Sequence, residues 1–369
     1  MACNFRGFRL WLIIILVISI SSCRQTEHTA LAVPYRVELA LGTVCTVTLY
    51  EQGKNSVYNA IFSRIREIEN LMSVNIPSSD ISRINDSAGI APVQVNKETF
   101  AVIERALFFA HNCGGAFDPS VGPLVSLWGI GTEDQRVPSQ EEINHALSLV
   151  NWRNVILNES VNSTDEAVSV HAVFRVYLTE RFMALDLGAI AKGYAADEAA
   201  RIAASAGIKS GIIDLGGNIV IIGEKKDRSP WRVGIQKPDI DNITSGETSR
   251  GEIIGFLQLT QSAEKKLTVV TSGIYERFFI ENGIHRHHIF SPSLGYPVQN
   301  GLVSVSIIAE NSMDADALST AVFVLGYDKG RSLLESYPVT GAVFIFDDKS
   351  VIVTGAADFT LTDNTFYIK

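Results

Sequence analysis

The chain has 369 residues and only four cysteines. Cys3 and Cys23 fall in the N-terminal segment, which leaves Cys45 and Cys113 for the body. Two cysteines build neither a disulfide framework nor a zinc site, although they could pair in an oxidising compartment. Positive charge is also short: 31 Lys and Arg stand against 40 Asp and Glu. An acidic body is a poor partner for nucleic acid, whose binding rests on Lys/Arg–phosphate contacts. Any anionic ligand must then be held by local devices: a metal ion, a helix N-terminus or a few placed cations. Internal repeats, low-complexity linkers and the G-x-x-x-x-G-K-[ST] spacing of a P-loop are all missing.

The N-terminus has an export pattern. Arg6 and Arg9 precede an apolar stretch, Leu10 to Ile20, too short to span a bilayer and suited to a signal-peptide core. Ile20-Ser-Ser-Cys23 follows as a small-residue cleavage site ending in cysteine. This predicts a lipoprotein signal over 1–22, lipidation of Cys23 and a tether over 23–34, with the rest folded in the periplasm on a membrane anchor. Cleavage would remove two arginines and no acid, taking the net charge from −9 to −11.

With 46% hydrophobic and 19% charged residues, the body can bury a large core. Tyr35 to Tyr50 alternates as a strand, and 56–72 and 97–111 have helical spacing. Residues 73–92 read as loop, and 114–124 as too rich in Gly and Pro for either regular state. Ser139-Gln-Glu-Glu142 is a capping box opening a third helix. Short strands are expected over 153–187, and mostly strand over 211–236 and 253–308. A helix from Met313 to Leu325 closes at Gly326, and strands fill the last 30 residues. Residues 237–251 read as an elaborated surface loop. Helices that do not alternate strictly with strands indicate a single α+β domain over 35–369.

Five segments can carry chemistry. Asp186-Leu-Gly-Ala-Ile-Ala-Lys192-Gly-Tyr-Ala-Ala-Asp197 reads as a strand (Phe182 to Leu187) running into an Ala-rich helix. Such a turn suits an anion, because free N–H groups and the helix dipole meet there; it also suits plain packing. In Met313-Asp-Ala-Asp316-Ala-Leu-Ser-Thr320, Asp316 and Thr320 share one helix face. A carboxylate beside a hydroxyl fits Mg²⁺, although the acids could merely complement the helix N-terminus. Thr271-Ser-Gly-Ile-Tyr275-Glu-Arg277 reads as a tight turn after a β-rich run. It is followed by His285, His287 and His288, which fit a hydrogen bond to substrate better than a transition-metal site. Asp214-Leu-Gly216-Gly-Asn218 lets backbone approach a ligand, and Phe117 and Asp118 lie in a loop able to present a ring and a carboxylate.

Taken in order, these segments resemble the ApbE family, the FAD:protein FMN transferases. The matching stretches are Leu41-Gly-Thr43, Met72-Ser73 with Ile81 and Asn85, Gly115-Ala116-Phe117-Asp118 with Val-Gly-Pro-Leu124 and Trp128, and DLGAIAKGYAAD. DLGGN, TSG-x-Y-x-R, HHI and DADALST complete the series. With its lipobox, the chain resembles a flavin-trafficking lipoprotein of spirochaetes within that family. The resemblance implies that a protein Thr or Ser hydroxyl attacks FAD, AMP leaves and FMN stays on the acceptor. It implies Mg²⁺ held by Asp316, Thr320 and the carbonyl of Ala189, with Asp316, Thr320 and Lys192 in catalytic roles. FAD would be lined by Leu41, Asn75, Ala116, Phe117, Asp118, Asp186, Lys192, Ser272, Gly273 and His288. Acceptors would carry a D-x-x-[ST]-G-A-[ST] type motif and include membrane redox-pump subunits.

The chain departs from the family pattern at Leu41 for Met, at Ser291 before Pro292 for Asp, and at Val74-Asn75, where relatives often carry an aromatic residue. Loss of that ring should loosen FAD and admit water, so Mg²⁺-dependent hydrolysis of FAD to FMN and AMP is expected too. Thr340-Gly-Ala-Val343 lacks the last hydroxyl of an acceptor motif, so self-modification is not expected. Two other classes stay open: a flavin carrier without turnover, and a metal-free solute-binding lipoprotein.

Overall fold

The structure is a computed structural model that describes residues 35–51, 55–162, 171–238, 240, 251–260 and 266–369. The export segment, the tether and most of the 237–251 loop lie outside the described residues. Along the chain run β1 (Tyr35–Ala40), β2 (Thr43–Leu49), α1 (Asn55–Met72), α2 (Asp80–Asp86), β3 (Val93–Val95), α3 (Lys97–Asn112), α4 (Gly122–Trp128), α5 (Gln140–Ser148), β4 (Val155–Asn162), β5 (His171–Leu178) and α6 (Ala191–Ser205). There follow β6 (Ser210–Leu215), β7 (Asn218–Gly223), β8 (Trp231–Gln236), β9 (Ile253–Leu259), β10 (Lys266–Gly273), β11 (Phe278–Glu281), β12 (Ile284–His287), β13 (Leu302–Ala309), α7 (Ser312–Leu325), α8 (Tyr327–Leu334), β14 (Val339–Phe346), β15 (Ser350–Gly355), β16 (Asp358–Leu361) and β17 (Tyr367–Ile368).

A nine-stranded sheet, β1-β2-β6-β7-β10-β13-β14-β15-β17, forms the frame. Its neighbours are antiparallel except β15 and β17. All eight residues of β13 are buried, as suits a central strand covered on both faces. Helix α7 packs on β7, β10 and β13, α6 packs on α7 and on β6 and β7, and α1 packs on α6. The buried face of α1 is Val57, Tyr58, Ile61, Phe62, Ile65, Ile68 and Met72, the helical spacing read from sequence. The Ser139 capping box is present, with the Ser139 side chain accepting from Glu142 N and Glu142 accepting from Ser139 N. The α+β class holds.

Several local expectations are corrected. Residues 35–50 form a hairpin, not one strand: Leu41 and Gly42 make its turn with φ 53° and 68°. Both positive angles match the twist of a two-residue hairpin loop. Leucine there costs about 1–2 kcal/mol, and its N–H is held at 2.8 Å by Glu69 Oε1. The 73–92 segment contains α2, capped by Ser79, whose Oγ accepts from Ser82 N. Helix α4 begins inside the Gly/Pro-rich 114–124 segment, and α8 follows α7 directly.

The Phe182–Leu187 strand does not form. Phe182 has φ 69°, and only Ala184 makes a single bridge, to Val121. The backbone there is satisfied otherwise. Leu185 N donates to Asn85 Oδ1 at 2.7 Å, Asn85 Nδ2 donates to Leu185 O at 3.0 Å, and Asp186 N donates to Pro119 O at 2.8 Å. The Asn85 side chain thus replaces a neighbouring strand. Ser272 and Gly273 lie inside β10 rather than in a turn. Cys45 and Cys113 are both free, not paired.

Candidate active site

The first turn of α6 meets the first turns of α7. Gly193 is the point of contact: a Cβ there would lie 2.3 Å from Ser312 O and 2.7 Å from Met313 Cα. Asp197, one turn on, accepts from Ser312 N and Met313 N at 3.0–3.1 Å and from Lys266 Nζ at 2.6 Å. It satisfies the open N–H groups of α7 and complements its dipole. Asn311 adds a cap through Asp314 N, and Arg105 grips the Asp314 carboxylate with two hydrogen bonds of 2.8 and 2.6 Å. Asp314 therefore stabilises the helix, and Asp316 is left for the site.

Asp316 is 3% exposed. Its Oδ2 accepts from Gly193 N at 2.9 Å, and its Oδ1 stands 3.7 Å from Lys192 Nζ. Lys192 Nζ also donates to Gly188 O at 3.1 Å. Gly193 N would otherwise close an α-helical turn on the Ala189 carbonyl. Because it serves Asp316, that carbonyl accepts no backbone hydrogen bond among the described residues. Asp186 Oδ1 accepts from Gly188 N at 2.7 Å, an Asx turn that sets the entry to the helix; a Cβ on Gly188 would touch that oxygen at 2.9 Å. Across from α6, Ser272 Oγ lies 2.8 Å from Ser319 Oγ and 3.4 Å from Thr320 Oγ1.

These groups open into a cavity of about 1170 Å³. Every residue expected to hold the metal or FAD lines it except Gly273. Gly273 sits behind the wall, where its missing side chain leaves room for Tyr275; a Cβ would meet the ring at 2.7 Å. Leu41, Asn75 and Ala116 are rim and wall positions. Phe117 is 3% exposed and packs edge-on against Phe109, so it is core rather than an offered ring. Asp118 turns inward as well: Oδ1 accepts from Ser120 N at 2.8 Å and Ser120 Oγ at 2.7 Å, and Oδ2 from Trp152 N at 3.2 Å. Burial raises its pKa, and these hydrogen bonds lower it in part.

The histidines do not converge. His285 stacks on Phe278. His287 Nδ1 accepts from Ile289 N at 3.2 Å, which makes Nε2 the donor to Val298 O at 2.8 Å. His288 Nδ1 lies 3.2 Å from Arg277 O, and a carbonyl can only accept, so the proton is on Nδ1. Burial, with Arg277 nearby, holds the His288 pKa well below its usual value, so the ring is neutral and Nε2 is a hydrogen-bond acceptor. The hydrogen bond to substrate expected of one of these histidines could at His288 only be accepted, not donated, by Nε2. Among the described residues no three His, Cys, Asp or Glu side chains cluster as a metal site.

Two further carboxylates stand in the site. Glu276 projects into the cavity over Gly217, and Asp214 Oδ1 accepts from Gly217 N at 3.0 Å. Burial raises both pKa values, and for Glu276 the cations Lys192 and Arg277 oppose the rise. Both lie inside the DLGGN and TSG-x-Y-x-R segments, where a lone acid beside glycines or a tyrosine gives no spacing signal of its own. The cavity lining holds six carboxylates (Glu69, Asp118, Asp186, Asp214, Glu276, Asp316) against three cations (Lys192, Lys237, Arg277). Lys237 is engaged with Asp363 at 2.9 Å.

The sequence model of the ApbE family matches residues 41–344. The chain belongs to the ApbE family. An FAD:protein FMN transferase of Treponema pallidum is 37% identical over 360 residues, covering 93% of this chain and 92% of the relative. One of Klebsiella pneumoniae is 33% identical over 314 residues, covering 85% and 89%. Among solved structures, the ApbE protein of Thermotoga maritima superposes with a TM-score of 0.72 at 33% identity, over 90% of this chain and 97% of that one. The flavin transferase ApbE of Vibrio cholerae gives 0.68 at 25% identity, over 90% and 97%. The ApbE-type fold of this chain thus extends over nearly all of each solved chain.

Proposed function

We propose that this ApbE-family chain is an enzyme that moves FMN from FAD to a Ser or Thr hydroxyl of acceptor proteins and releases AMP. The names of its relatives support the reading. The observation that carries it for this chain is the meeting in one acidic cavity of Asp316, Lys192 and the Ala189 carbonyl, which accepts no backbone hydrogen bond among the described residues. That cavity exceeds the roughly 300–1,000 Å³ usual for small ligands and suits a dinucleotide.

The residues fit a magnesium ion. Six carboxylates against three cations make an adverse setting for a diphosphate unless a cation intervenes. Asp316, the Thr320 hydroxyl and the Ala189 carbonyl are the oxygen donors that would hold Mg²⁺, with water and phosphate oxygens completing its shell. Bound there, Mg²⁺ supplies neutralisation of the charge that builds on the diphosphate. The chain's own groups orient the rest. Lys192 adds a cation beside Asp316, and the Asp186 turn presents the start of α6. The acceptor oxygen bonds to the phosphorus on the FMN side, the bond from that phosphorus to the bridging oxygen breaks, and AMP leaves with that oxygen. His288, which lines the same cavity, keeps Nε2 free to accept a hydrogen bond from a bound ligand.

A second product has its own observation. Val74 and Asn75 form an exposed cavity wall with no ring to cover a bound flavin. Water can then replace the acceptor, giving FMN and AMP. Thr340-Gly-Ala-Val343 lies within β14, paired to β13 and β15, so the chain offers no acceptor of its own there. The N-terminal pattern supports a lipoprotein cleaved after residue 22, lipidated at Cys23 and facing the periplasm on the inner membrane. Loss of lipid labelling in Cys23→Ala tests that part. For the chemistry, the full chain in detergent is given FAD and Mg²⁺ with and without an acceptor displaying D-x-x-T-G-A-T. AMP release matched by FMN on the acceptor is expected, with slower release of AMP and free FMN when the acceptor is left out. Release of AMP that EDTA leaves unchanged would contradict the metal assignment.

A further inference from the structure

β1 reverses the usual polarity of a strand. Its inward residues are charged: Arg36 donates to Asn59 Oδ1 at 2.6 Å and lies over the Tyr58 ring, and Glu38 pairs with Arg66, all on α1. Its outward residues are Tyr35, Val37 and Leu39, which are 67%, 47% and 82% exposed. The register places Leu39 beside Val44 of β2, itself 52% exposed. A strand with one solvated face ordinarily turns its apolar residues inward. An exposed apolar strip of this kind marks an interaction surface. β1 also ends the nine-stranded sheet and, among the described residues, pairs with β2 alone. Its outer backbone edge can therefore accept another strand.

The strip runs into the cavity. Leu39, Val44 and the Leu41-Gly42 turn belong to the hairpin and to the cavity lining at once. We propose that this face and edge seat the acceptor polypeptide, as an extended segment lying on Tyr35, Val37 and Leu39 whose hydroxyl-bearing residue enters the cavity past Leu41. The inference rests on the transferase reading and names where its protein substrate binds. Continuity with the cavity selects the acceptor as occupant, because the acceptor alone must reach the bound FAD from outside. A second copy of the chain or a lipid surface has no such requirement.

The test compares Tyr35→Asp with Val37→Asp, as a double variant of the full chain, against the wild type. Neither residue lines the cavity. Tyr367→Asp with Ile368→Asp on β17, the opposite edge of the same sheet, is the control, since those residues are 48% and 52% exposed. The probe is a small protein displaying D-x-x-T-G-A-T. The double variant should raise the KM for the acceptor about tenfold or more, with kcat at saturation and FAD affinity unchanged. The control should do nothing. Tyr35→Thr with Val37→Thr keeps strand propensity and should give a smaller rise in KM. An acceptor KM in the Asp variant within about twofold of wild type, while wild type transfers FMN, overturns the docking face alone. So does a wild-type dimer that the Asp variant splits, or vesicle binding lost with KM unchanged. Wild type that binds FAD yet never flavinylates the acceptor overturns the transferase reading, and this inference with it.

Discussion

Gly193 shows how one residue serves packing and chemistry together. It lets α6 touch α7, and its N–H, turned from Ala189, fixes Asp316. Gly193→Ala would place a methyl 2.3 Å from Ser312 O, which is backbone and cannot step aside cheaply. Overpacking of this kind costs about 1–3 kcal/mol. The expected outcome is a Tm lower by several degrees together with weaker FAD binding, read by calorimetry and flavin fluorescence. Gly216 is a second such position: its φ is 61°, and a Cβ would lie 2.2 Å from Thr43 Oγ1. The Leu-Gly-Thr43 and DLGGN segments are thus two halves of one corner, a relation that no spacing in the sequence discloses.

At the scale of elements, the site depends on how two helix starts are locked. Asp197 is the lock, tied to Ser312 N, Met313 N and Lys266. Asp197→Ala removes a cap and strands a lysine, and should cost about 1–2 kcal/mol in stability. Denaturant unfolding checks it, and an unchanged midpoint would show that α7 needs no such cap. The long elements were legible because their signals are local: the apolar spacing of α1, the Ser139 capping box, and the Asp316–Thr320 pair on one face of α7. The Phe182–Leu187 segment was not legible. It is apolar like a strand, yet its partners are the Asn85 side chain and Pro119 O, both far away in sequence. The hairpin turn at Leu41 was hidden for a related reason, since leucine gives no turn signal and the angle is held by Glu69 from α1.

At the scale of the molecule, acid stability follows from buried imidazoles. Burial brings His285 and His287 down to about 4. In the unfolded chain they titrate near 6.5. The folded state therefore keeps them neutral while the unfolded chain takes up protons. Their contribution is present above about pH 6.5 and is lost as pH falls towards 4. For the nearly fully buried His287 this is about 3 kcal/mol. Tm should fall over that window, and the fall should be shallower in His287→Gln; parallel curves would contradict the assignment. Asp118, Asp214 and Glu276 act in the opposite sense, favouring the fold at low pH and less so as each ionises. Of the candidate site, the residues on α6 and α7 could be read from spacing and family likeness. What could not be read was polarity: which ring nitrogen is spent, which carboxylate turns inward, and how many acids crowd one cavity. On the proposed function, Asp316 organises transfer of FMN from FAD. The direct measurement is the intact mass of an acceptor displaying D-x-x-T-G-A-T after incubation with FAD, Mg²⁺ and either wild type or Asp316→Ala. One added FMN is expected with wild type and, with a rate loss of about 100-fold or more for the variant, almost none. Equal flavinylation by a folded Asp316→Ala protein would contradict it.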